Sequence, residues 1–90
     1  MAVWAFESIT VADSAIGFTA ATHDHANEAF VTVESGAVRF RADGTDPTAA
    51  IGHVLEVGDT LRLESQNDLQ KVRFIRRDGV SATLRVSYLV

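Results

Sequence analysis

The chain has 90 residues, 47% of them hydrophobic, with no cysteine and a formal charge of -4. That length makes one domain, which buries only about 60% of its unfolded surface; with neither a disulfide nor a thiolate metal site to brace it, packing or neighbouring subunits must. Arg39, Arg41, Arg62, Arg73, Arg76, Arg77 and Arg85 are scattered among twelve acids, so no nucleic-acid partner is expected, and no membrane partner either, because the apolar N-terminal run is too short to span a bilayer.

Met1-Ala2-Val3-Trp4-Ala5-Phe6 is apolar without clean alternation. Residues 1–8 are read as an N-terminal interaction arm with Trp4 and Phe6 as anchors, the competing reading being that both rings join the domain's own core. The segment has no basic n-region of a signal peptide, so synthesis in the cytoplasm is expected. Ile9 and Val11 alternate with Thr10 and Ala12 in a first strand, and small residues from Ala15 to Ala29 follow without an assigned element. Phe30 to Glu34, the turn Ser35-Gly36 and the return Ala37 to Arg41 read as a hairpin. Within the return, Val38 and Phe40 alternate with Arg39 and Arg41, and Asp43-Gly44 turns the chain. His53 to Val57, Gly58-Asp59 and Thr60 to Glu64 predict a second hairpin, with Leu61 and Leu63 on one side and Arg62 and Glu64 on the other. A polar loop, Ser65-Gln66-Asn67-Asp68, leads to a strand over Lys71 to Arg76. Asp78-Gly79 then turns the chain into Ala82 to Tyr88, where Leu84, Val86 and Tyr88 alternate with Thr83, Arg85 and Ser87. Tyr88-Leu89-Val90 is expected to lie on an edge strand that a neighbouring subunit covers. No segment shows a sustained helical period.

Short strands every 8 to 12 residues or so, with Gly or Asp at most junctions, describe an all-β fold. The expected form is a small antiparallel β-sandwich, immunoglobulin-like or jelly-roll-like, with a small β-barrel as the alternative and residues 1–90 as a single domain.

His23-Asp24-His25 places two imidazoles at i and i+2, on one face of an extended chain, where they could share a metal. With Gly17 before and Glu28 after, the stretch resembles the first metal-binding motif of the cupins. Here only Ala26-Asn27 separates His25 from Glu28, a shorter gap than the cupin spacing, and no histidine follows His53 to supply the second motif. A single-residue change of spacing reverses the face of a strand. The expected reading is therefore a polar loop, with no metal or cofactor assigned. Ser8, Ser14, Ser35, Ser65, Ser81 and Ser87 lack a nucleophile elbow. Asp43, Asp46 and Asp59 sit beside glycine or proline, where their carboxylates bond local backbone amides rather than act as an acid–base pair. No glycine-lysine-serine or -threonine follows Gly44 or Gly52, so nucleotide binding is not expected. No catalytic residue is assigned, and the chain is expected not to be an enzyme.

Several ordered motifs carry a resemblance over about residues 9 to 90: Ala29-Phe30-Val31-Thr32-Val33-Glu34, Val38-Arg39-Phe40-Arg41, Asp43-Gly44-Thr45-Asp46-Pro47-Thr48, Gly52-His53-Val54-Leu55, Gly58-Asp59, Phe74-Ile75-Arg76 and Leu84-Arg85-Val86-Ser87-Tyr88. Together they resemble small virion proteins of tailed bacteriophages. The resemblance implies an all-β accessory protein located on the virion, decorating or cementing the capsid, with the major capsid protein or other virion proteins as partners. The fragment Asp43 to Thr48 taken alone also resembles a turn of immunoglobulin-like accessory modules in carbohydrate enzymes. Repeated weak contacts on one shell add up to firm attachment. Identical subunits close by cyclic symmetry, so a homo-oligomer is expected, a trimer first. A carbohydrate or host-surface binding module on the virion is the alternative, and a cupin-like metal protein the third reading.

Overall fold

The structure, a computed structural model, describes residues 3–19 and 26–90, except for the side chains of Val3 and Trp4. In chain order the elements are β1 (Val3–Val11), β2 (Glu28–Ser35), β3 (Val38–Arg41), β4 (His53–Leu55), β5 (Thr60–Leu63), helix α1 (Gln66–Lys71), β6 (Arg73–Arg76) and β7 (Ala82–Leu89). They form two antiparallel sheets, one of four strands in the order β1-β7-β2-β5 and one of three in the order β4-β3-β6. The fold is thus all-β, in two layers.

Period-two alternation gives each sheet one covered face. On β7, Ala82, Leu84, Val86 and Tyr88 are buried, and Thr83, Arg85, Ser87 and Leu89 point the other way. In register beside them lie Ala29, Val31 and Val33 of β2, and Ile9 and Val11 of β1. The second layer answers with Val38, Leu55 and Phe74, and the three residues Phe18, Leu69 and Val72 fill the margins of the common core.

The expected hairpins are connections between the layers. β2 belongs to the four-stranded sheet and β3 to the other; β4 and β5, and β6 and β7, are likewise split between sheets. Ser35-Gly36 cannot make the two-residue turn favoured in hairpins. Such a type I′ turn needs positive φ at both central residues, and among the described residues only glycines have it. Gly36, at φ 72°, makes a corner instead. β3 and β4 do pair, Val38 with Leu55, Arg39 with Val54 and Phe40 with His53, across the loop of residues 42–52.

Three further expectations are corrected. Residues 3–8, read as an arm, lie in β1 and pair with β7, with a register shift between Val3 and Ala5. Tyr88-Leu89 is not at an edge, because β7 sits between β1 and β2. Part of the polar loop after Ser65 is helical: the Ser65 hydroxyl accepts from the Asp68 amide at 3.1 Å and caps α1. Six residues are too few to show a helical period in sequence.

Candidate functional site

The loop between β3 and β4 is pinned from β3. The Arg39 guanidinium donates to the carbonyls of Ala49 and Gly52, both at 2.9 Å. The Thr48 hydroxyl accepts from the amides of Ala50 and Ile51, and Thr48 and Ile51 exchange backbone bonds in a tight turn. Between this loop and the end of β3 opens a cleft of about 570 Å³. Phe40 and His53 form its aromatic side, with ring centroids 5.3 Å apart, and exposed Ile51 adds an apolar flank. Arg41 and Asp43 supply charge, joined at 2.5 and 3.2 Å. The Arg41 hydrogen bond holds the Asp43 carboxyl below the usual carboxylate range, helped by the Thr45 amide. Asp43 therefore makes the expected local turn bond, and the Asp59 carboxylate similarly accepts from the Glu56 amide at 2.8 Å. The cleft offers aromatic and aliphatic surface, one imidazole edge and a fixed ion pair, a set suited to binding.

A line of rings joins this cleft to the opposite sheet. Phe40 approaches Phe74 at 6.2 Å, Phe74 approaches Phe18 at 5.7 Å, and Phe18 meets Tyr88 edge-on at 5.3 Å. The Tyr88 hydroxyl donates to the Glu7 carboxylate, which also accepts from the amide and hydroxyl of Thr19 at 3.2 and 2.7 Å. Burial first, then the hydrogen bond and charge of Glu7, raise the Tyr88 phenol above the ordinary tyrosine range. Glu7 was missed in the sequence, although it shares the inward parity of Ile9 and Val11. A carboxylate at an inward strand position signals a polar partner inside.

The outer face of the four-stranded sheet carries one row across all strands: Phe6, Ser87, Phe30 and Arg62. Phe6 is 60% exposed and Phe30 39%. Of the two proposed anchors, Phe6 is thus on an open surface, and the Trp4 side chain lies outside the described residues. Tyr88, in contrast, is buried and adds no ring to the surface.

His23, Asp24 and His25 lie outside the described residues. The remaining members of that motif do not meet. Glu28 faces Arg62 at 3.6 Å, and Gly17 packs so closely on the Arg73 guanidinium that a Cβ there would stand 2.7 Å from it. His53 is in the cleft against Phe40. Among the described residues, no three His, Cys, Asp or Glu side chains are grouped to hold a metal ion. Comparison of the chain with protein-family models, with curated proteins and with solved structures found no match.

Proposed function

We propose that the chain is a non-enzymatic structural protein of a bacteriophage particle, which decorates or cements the capsid by associating with itself and with the major capsid protein. The observation that carries this reading is the row Phe6, Ser87, Phe30 on an open sheet face. Two exposed aromatic rings flanking a small residue give the kind of anchor that dominates protein interfaces. The ordered motifs that resemble small tailed-phage virion proteins give the partner. Binding of the purified chain to capsids lacking it tests the reading, with Phe6→Ala as the variant. Phe6 is exposed, so the substitution leaves the core intact and is expected to weaken capsid retention at least about tenfold. A chain that neither self-associates nor binds such capsids overturns the proposal.

The cleft favours a second reading, a carbohydrate-binding module on the virion. Phe40 and His53 would stack on a sugar ring while Arg41 and Asp43 bond its hydroxyls. Glycan retention lost on His53→Ala, with capsid binding unchanged, would put this reading first.

A further inference from the structure

We infer that the chain associates head to tail, the outer face of the three-stranded sheet of one copy receiving the turn end of the next. This contact rests on the self-association proposed above and specifies its surfaces.

The receiving face is basic in an acidic chain. Val54, Arg39 and Ile75 form one row across β4, β3 and β6, and Arg41 and Arg73 stand opposite each other in the next. Arg41 is neutralised by Asp43. Arg39 and Arg73 instead donate to backbone carbonyls, Arg39 to Ala49 and Gly52, and Arg73 to Gln70 and Val72. Those bonds fix both guanidiniums in place and supply no counter-charge. Among the described residues neither arginine forms an ion pair with a carboxylate. Two oriented cations beside Val54, 38% exposed, and half-buried Ile75 make a surface of arginine and aliphatic side chains, a composition typical of interfaces.

The opposite end of the same strands has the complementary character. Three of the four connections between the layers, all but the one through α1, converge there. The Gly58 amide bonds the Val33 carbonyl, the Arg77 amide bonds that of Ala37, and the Arg77 side chain ties Glu56 to Asp78. Asp13, Glu34, Glu56, Asp59 and Asp78 gather at this end against Arg76 and Arg77. Val57 and Val80 project beside them, 59% and 62% exposed. Acids with two open valines therefore face the demand of arginines with Val54 and Ile75. Both charge and apolar surface match, and a second copy presents both at once. Because the two surfaces differ, the contact is heterologous and closes into a ring when the rotation allows.

Native mass spectrometry of the whole chain tests the contact. For the wild type, raising ammonium acetate from about 50 mM to about 500 mM shortens the screening length severalfold, and the oligomer is expected to weaken about tenfold. Arg39→Glu with Arg73→Glu, and separately Glu34→Lys with Asp78→Lys, should each leave monomers. Mixed in equal amounts, the two variants restore a complementary contact between unlike copies and should form hetero-oligomers that neither forms alone. The salt series needs no substitution, so misfolding of a variant leaves the contact testable. An oligomer indifferent to salt and to both reversals overturns this contact and leaves the capsid function standing. A monomer at all salt concentrations that still binds capsids does the same, and one that does not bind them overturns both.

Discussion

At Tyr88 a buried ring and its hydroxyl tie β7 to its neighbour β1 and to the loop after it. Its ring is buried against Phe18, and its oxygen reaches the Glu7 carboxylate that also anchors Thr19. Tyr88→Phe keeps the ring and removes the donor, so the carboxylate loses one of its partners inside the protein. A hydrogen bond to a charged group contributes about 2 kcal/mol, and urea denaturation at neutral pH is expected to register a loss of that order. The same hydroxyl sets an alkaline limit. Its folded pKa lies above the unfolded value of about 10, so above that pH the unfolded chain releases a proton that the folded chain retains. The unfolded state then binds fewer protons, and stability falls as pH rises. The contribution is complete below about pH 10 and is lost progressively above it. Denaturation midpoints between pH 9 and 11 should therefore fall more steeply for the wild type than for Tyr88→Phe; equal slopes would show that Tyr88 ionises alike in both states. Alternation in the sequence located the buried face of β7 correctly. It did not locate the tie at Glu7, since the parity of β1 becomes evident only when Ile9 and Val11 are extended back through residues read as an arm.

The strands themselves were legible because side-chain alternation reports which face is covered. It does not report what lies beside the strand. Val33 and Val38 are buried whether their strands are neighbours in one sheet or face each other across the core, so Ser35-Gly36 reads equally as a hairpin or as a corner. Packing at the corner decides. Gly36 has φ 72°, and a Cβ there would lie 3.0 Å from both Cα and Cβ of Ala82, the first residue of β7. Gly44 also has positive φ, 89°, yet a Cβ there would meet nothing within 4 Å. The two positions separate backbone strain from close approach. Gly44→Ala carries the left-handed backbone cost alone, about 1 kcal/mol, whereas Gly36→Ala adds a clash with β7 and is expected to cost about 3 kcal/mol. Urea titration of both variants measures the difference, and equal losses would mean that the corner yields without disturbing β7.

Across the whole molecule, sequence neighbours are seldom sheet neighbours. Among the described residues, β3 and β4 are the only consecutive strands hydrogen-bonded side by side, while β1 pairs with β7, the first strand with the last. The Cα radius of gyration, 11.9 Å, is that of a compact chain of this length, about 12 Å. Compactness is thus reached mostly through contacts between residues distant in sequence. Closing the loop from β1 to β7 costs chain entropy before any of its ladder bonds form, and β7 must be in place before β1 and β2 can pair on its two sides. Topologies of this kind fold in milliseconds to seconds rather than microseconds. Stopped-flow refolding from urea, followed by the fluorescence of the single tryptophan on β1, is expected to show that slow phase at low protein concentration. Its rate should not change with concentration, because the intramolecular pairing of β1 with β7 limits it and any association follows. Refolding in microseconds would mean that β1 and β7 are not the ladder that closes the fold, and a rate rising with concentration would mean that assembly precedes closure.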